Sequence, residues 1–79
     1  MAKKEVKIYS TPTCPWCDKA KQFFKENHVK FTDVNVAADS KARQEMVKLS
    51  GQMGVPVIEI GDTVIVGYDE DAIRDTLDL

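Results

Sequence analysis

The side chains best suited to chemistry are Cys14 and Cys17, the only two cysteines in the 79 residues, set in the run Cys14-Pro15-Trp16-Cys17. They lie where a β-like run gives way to a helix-like one. In that setting a Cys-x-x-Cys pair reads as a thiol–disulfide redox motif. A bridge between them would close a very short loop and contribute little by chain entropy, so stapling is a poor reason for the pair. The competing readings are half of a metal site or two core thiols. A structural zinc ion usually takes four ligands, whereas this chain has one histidine and no second cysteine pair.

Those cysteines need a platform, and the length allows one small domain, residues 1–79, with a single core. Hydrophobic residues at 43% and charged residues at 30% fit a soluble globular chain. The formal net charge of −2 leaves no nucleic-acid footprint. No apolar run approaches the ~20 residues of a membrane span. Met1-Ala2-Lys3-Lys4-Glu5 leads straight into a strand, without a signal-peptide pattern. The expectation is a cytoplasmic monomer. In that compartment thiols stay reduced, and paired cysteines serve catalysis or metal binding rather than structure.

The elements follow from periodicity and punctuation. Val6-Lys7-Ile8-Tyr9 alternates as a short strand, with Val6 and Ile8 on one face and Lys7 and Tyr9 on the other. If that strand is central, Lys7 must reach water near a sheet margin. Ser10-Thr11-Pro12-Thr13 is a polar turn, Thr13 a candidate N-cap, and Pro15 suits a first helical turn. From Pro15 to about His28 the pattern is helical. Cys17, Ala20 and Phe24 form its stripe, and Lys19, Lys21 and Lys25 lie on a solvated face that could steer acidic partners. His28 reads as a cationic helix end. Phe31-Thr32-Asp33-Val34-Asn35-Val36 alternates as a second strand, which makes a βαβ unit. Asp39 or Ser40 caps a second helix carrying Ala42, Met46 and Leu49, and Gly51 stops it. Val55-Pro56-Val57-Ile58-Glu59-Ile60 and Thr63-Val64-Ile65-Val66 form a hairpin about Gly61-Asp62. A last helix opens at Asp69-Glu70-Asp71 and faces inward with Ala72, Ile73 and Leu77. The order is β-α-β-α-β-β-α, an α/β chain.

With that order in place the chain resembles a small dithiol glutaredoxin over almost its whole length. Three segments carry the likeness: Ile8 to Cys17, Gly54-Val55-Pro56, and Gly67-Tyr68-Asp69-Glu70. The resemblance implies a thioredoxin fold, a four-stranded mixed sheet with helices on both faces, and a cis bond before Pro56. Without it, Pro56 reads as an ordinary strand-start proline. It implies catalysis by Cys14 and Cys17. It also implies substrate or glutathione contacts at Thr11, Pro15, Trp16, Gln52, Val55, Pro56, Gly67, Tyr68 and Asp69, with the Val55 backbone pairing to an extended substrate. Read by themselves, Trp16 is equally a surface aromatic, and Asp69 is a helix cap that could also contact substrate. The partners implied are protein disulfides or glutathione mixed disulfides, with no nucleic acid, membrane, metal or tightly bound cofactor.

Cys14, at or just before a helix N-terminus, is the expected nucleophile, because amide donors and the positive dipole end favour a thiolate. Cys17, a turn further in on the apolar stripe, is the expected resolving thiol. Pro15 and Trp16 between them should tune the redox poise. Three positions depart from the family pattern. Thr11 stands where many glutathione-using members have lysine, Gly54 replaces the threonine of Thr-Val-Pro, and Val66-Gly67 replaces Gly-Gly. The expectation is weak glutathione coupling, with a thioredoxin-reductase-type enzyme as the rival reductant. The reading from another class is a noncatalytic thioredoxin-fold binding module, or a metal or iron–sulfur carrier.

Overall fold

The structure is a computed structural model that describes residues 5–79. The reading of Met1-Ala2-Lys3-Lys4 as a lead-in without a targeting segment lies outside those residues. Strands β1 (Val6–Ser10), β2 (Thr32–Asn35), β3 (Val57–Ile60) and β4 (Thr63–Val66) alternate with helices α1 (Pro15–Glu26), α2 (Ser40–Ser50) and α3 (Glu70–Leu77) in the order β1-α1-β2-α2-β3-β4-α3. The strands form one mixed sheet in the order β2-β1-β3-β4. β1 runs parallel to β2, with Tyr9 opposite Val34, and antiparallel to β3, with Ile8 opposite Ile58. β3 and β4 are antiparallel, and Ile60 opposite Thr63 leaves a two-residue loop. Gly61 supplies the positive φ of 57° that a tight hairpin turn demands at its first loop position.

Alternation along the strands divides the core into two layers. Val6 and Ile8 of β1, Ile58 and Ile60 of β3, and Ile65 of β4 face α1 and α3, where Ala20, Phe23, Phe24 and Ile73 complete one buried cluster. Tyr9 and Val57 face the other way and pack with Ala42 and Met46 of α2 and with Val36. The sheet therefore has helices on both faces. β1 is central, so Lys7 lies in mid-sheet. Its stem crosses the surface to set the ammonium 5.8 Å from the centre of the Tyr9 ring.

Helix ends obey their local chemistry. Asp39 caps α2, its Oδ1 accepting from the amides of Lys41 and Ala42 at 3.1 Å each. Gly51 ends that helix at φ 74°. Three expectations are corrected here. Thr13 is not the cap of α1; Cys14 is. Leu49 is 39% exposed rather than core, because α2 turns that flank away from the sheet. Thr32, expected on the apolar side, is exposed: β2 is an edge strand of four residues, and only Val34 is partly covered. Two further positions differ. His28 lies just past the helix in left-handed backbone, φ 57°, while Asn27 supplies the C-cap and its side-chain amide donates to the Phe23 carbonyl. β3 begins at Val57, two residues later than the sequence run, since Pro56 has no amide to donate to a strand ladder; the peptide between Val55 and Pro56 is cis.

Candidate active site

The cysteine pair sits at the C-terminal end of the central strand. Ser10, the last residue of β1, is buried, and its hydroxyl donates to Asp33 on the neighbouring strand at 2.7 Å. Asp33 in turn pairs with Lys21 of α1 at 2.9 Å. Strand end, neighbouring strand and active-site helix are thereby tied together directly behind the motif. Burial opposes the charged form of Asp33, but the Ser10 hydroxyl and the Lys21 ammonium outweigh it and hold the carboxyl below its ordinary value. Lys21 is therefore a paired group at 21% side-chain exposure and not part of a solvated face.

Cys14 is the N-cap residue of α1. Its backbone is extended (φ −105°, ψ 105°), and its sulfur accepts a hydrogen bond from the Cys17 amide at 3.1 Å. This is the cap geometry usually supplied by a serine or aspartate oxygen, here filled by sulfur. Pro15 follows at the first helical position, where no amide donor is needed. The Cys14 carbonyl accepts the first intrahelical bond, from Asp18 at 3.2 Å. The cysteines are joined as a disulfide, with Cα atoms 5.2 Å apart. Their surroundings differ. Cys17 is completely buried, and Cys14 retains 8% exposure. Among the described residues no group of three or more His, Cys, Asp and Glu side chains could hold a metal ion.

The walls come from the second half of the chain. The Gly67 amide donates to the Pro56 carbonyl at 2.8 Å, which fastens the turn after β4 to the loop before β3. Gly67 has φ 81°, a left-handed conformation that favours glycine. Tyr68 then stacks with Trp16, ring centres 6.4 Å apart and planes 29° from parallel. These two contacts bring the cysteine loop, the Val55-Pro56 loop and the Gly67-Tyr68 turn to one place. Trp16 is 55% exposed, so its ring belongs to the rim, and Lys19 lies 4.6 Å over its centre.

Tyr68 is held from below as well. It meets Phe23 edge-on at 6.3 Å, its hydroxyl donates to Glu70 at 3.1 Å, and Glu70 receives Arg74 at 3.0 Å. Arg74 also covers the Phe23 ring at 5.0 Å. Burial, and after it the hydrogen bond to Glu70, push the Tyr68 phenol up. Arg74 and then Tyr68 hold the Glu70 carboxyl down. The phenol is thus kept as a proton donor to a carboxylate that stays ionised. Asp69 caps α3, its Oδ1 accepting from the Ala72 amide at 3.1 Å.

Among the sequence-predicted residues, Pro15 and Trp16 lie between the cysteines, and Pro56, Gly67 and Tyr68 form the wall. Thr11 lies partly exposed in the turn between β1 and α1, and Val55 is also partly exposed. Gln52 is turned onto its own loop, its side-chain amide donating to the Gly54 carbonyl at 3.0 Å and accepting from the Gly54 amide. A Cβ at Gly54 would stand 2.6 Å from the Gln52 oxygen, so a larger residue there would displace that side chain. Sequence reasoning missed Ser10, Asp33 and the Lys19, Glu70 and Arg74 braces. Their residue types are ordinary and their partners lie on other elements, except for the Glu70–Arg74 spacing of one helical turn.

A sulfur-capped helix at the end of a central strand, walled by a cis-proline loop, defines a thioredoxin-fold redox site. The glutaredoxin family profile matches residues 6–65, and the chain belongs to that family. It is 57% identical over 65 residues to an uncharacterized glutaredoxin-like 8.6 kDa protein in the rubredoxin operon of Clostridium pasteurianum, covering 82% of this chain and 87% of that one. It is 37% identical over 65 residues to glutaredoxin 3 of Escherichia coli, covering 82% and 78%. Among solved structures it is similar to the glutaredoxin-like protein NrdH-redoxin of Escherichia coli, with a TM-score of 0.80 and 25% identity over 90% of this chain and 92% of that one.

Proposed function

We propose that this protein is a dithiol disulfide reductase in which Cys14 attacks and Cys17 resolves. The observation that carries the reading is the sulfur cap: Cys14 Sγ receives the Cys17 amide at the helix N-terminus, while Cys17 is wholly buried behind it. In the reduced protein the same amide and the positive end of α1 stabilise negative charge on Cys14 sulfur. The Cys14 thiolate attacks one sulfur of a substrate disulfide, forms a mixed disulfide and expels the other sulfur as a thiolate. Cys17 then loses its proton to solvent or to the departing thiolate and attacks Cys14 sulfur. The second substrate thiol leaves, two electrons have passed to the substrate, and the Cys14–Cys17 disulfide remains. The Val55 backbone and the Trp16–Tyr68 rim hold an extended substrate beside Cys14, and no bound cofactor takes part.

An outside thiol reductant, one dithiol or two monothiols, must return the two electrons. We assign that role to a thioredoxin-reductase-type enzyme in preference to glutathione. Thr11 occupies the position where many glutathione-using members of the family carry lysine, and the side chain of Gln52 is engaged with Gly54. The similar Escherichia coli NrdH-redoxin is itself described as having a thioredoxin-like activity profile. The cycle belongs in a compartment that keeps thiols reduced, the cytoplasm. The test is reduction of a small disulfide, coupled either to thioredoxin reductase or to glutathione with glutathione reductase. Turnover at least tenfold faster with the former is expected. Saturable, faster turnover with glutathione would reverse the assignment, and activity surviving Cys14→Ser would sink the mechanism.

A further inference from the structure

On the other side of the sheet from α1, α2 and the loop that follows it leave a shallow groove of about 410 Å³ lined by Arg43, Gln44, Val47, Lys48 and Met53. Its floor is apolar. Val47 is only partly buried against the second core layer, and Met53 is 67% exposed, a large fraction for a side chain of this kind. Its rim is basic: Arg43 and Lys48 are exposed, and no acidic residue is among the lining. The acidic residue of the helix, Glu45, acts electrostatically on Tyr9, beneath another flank of α2. A basic groove on a chain of formal charge −2 is a local reversal of sign. Met53 lies two residues before Val55, so the backbone at this end of the groove is within about 7 Å of the loop that the proposed substrate pairs with.

We propose that this groove docks the polypeptide flank of a protein disulfide substrate, and that it selects a flank combining acidic residues with an apolar side chain. The apolar side chain covers Val47 and Met53 while carboxylates meet Arg43 and Lys48. This rests on the oxidoreductase reading, since it extends the substrate that Cys14 attacks. The complementarity is of opposite charge around an apolar centre, the pattern that gives selectivity and a salt-sensitive encounter. The groove can accept a few amino-acid side chains, which suits a peptide segment rather than a broad interface.

The experiment compares three substrates: hydroxyethyl disulfide, a short peptide disulfide flanked by Asp-Leu-Glu, and its counterpart flanked by Lys-Leu-Lys. The wild-type protein is expected to show a KM about fivefold to tenfold lower for the acidic peptide, the scale of two exposed charge pairs. The preference should shrink with added salt. The double variant Arg43→Glu with Lys48→Glu should invert the preference while leaving hydroxyethyl disulfide turnover unchanged, and that inversion certifies a folded protein. Met53→Ser should raise KM for both peptides and not for the small disulfide. Equal KM values in the wild type, or a preference that survives charge reversal, overturn the proposal. A concentration-dependent dimer abolished by the charge reversal would assign the groove to a second copy and overturn it too. If no disulfide is turned over at all, the oxidoreductase reading fails separately. Fluorescence anisotropy of a labelled acidic peptide with serine in place of cysteine then decides the groove: binding weakened by the charge reversal upholds it, and no binding overturns it.

Discussion

Cys14 at 8% exposure and Cys17 at zero differ little in area and greatly in access. In the reduced protein, iodoacetamide should add a single label, at Cys14, and reach Cys17 only after unfolding. Mass spectrometry under native and denaturing conditions checks this, and early labelling of Cys17 would contradict the division of roles. Asp33 carries a second residue-scale prediction. Its folded carboxyl titrates lower than in the unfolded chain, although partial desolvation opposes the charge, because Ser10 and Lys21 favour it. The resulting stabilisation is fully present above the unfolded value near ~3.9 and is lost as pH falls through the folded one. Asp33→Asn should therefore flatten the acid limb of a plot of stability against pH, below about pH 4. The effect should be modest, since the side chain is 44% exposed. The cysteine pair was legible in the sequence because spacing alone carries it. The Ser10–Asp33 bond joins residues 23 apart, and no local pattern announces such a partner.

At the scale of elements, the chain's punctuation was easiest to read where a single residue governs an end. Asp39, Gly51 and Gly61 each act through their own backbone or side chain, and each sits where its type suggests. β2 was harder, because alternation predicts burial only for a strand covered on one face, and an edge strand of four residues is barely covered at all. The Trp16–Tyr68 stack joins α1 to the turn before α3, so it needs the fold before it has meaning. Gly51 and Gly67 permit a paired test. Both are left-handed, at φ 74° and 81°, and a Cβ would meet nothing within 4 Å at either. Substituting alanine at either should cost about 1 kcal/mol through backbone conformation alone, measured by urea unfolding. Only Gly67→Ala should also slow disulfide reduction, because only Gly67 fastens the two site loops.

At the scale of the molecule, a 79-residue fold has a stability of roughly 4–12 kcal/mol at the usual ~0.05–0.15 per residue. Phe24, fully buried between α1 and the sheet, should cost about 3–5 kcal/mol when cut to alanine. Leu49→Ala, on the open flank of α2, should stay within about 0.5 kcal/mol. Chemical denaturation of the two variants tests whether the core and the open flank of α2 are divided as described. The element order and the family resemblance made the architecture legible. The basic groove was not, because Arg43, Lys48 and Met53 become neighbours only when the loop after α2 folds back beside it.

The strand order also has a consequence for the birth of the protein. A chain is made from its N-terminus, so Cys14 and Cys17 emerge early, but β1 needs β3 on its other side, with Val6 opposite Ile60. Until residue 60 has been added, the strand that carries the motif keeps an open edge, a template for pairing with other chains. Ile58, Ile60, Ile65 and Ile73, which close the layer around α1, all follow the cysteines in the sequence. The nascent chain therefore exposes both thiols before the strands and the helix that complete the sheet and its cover have been made.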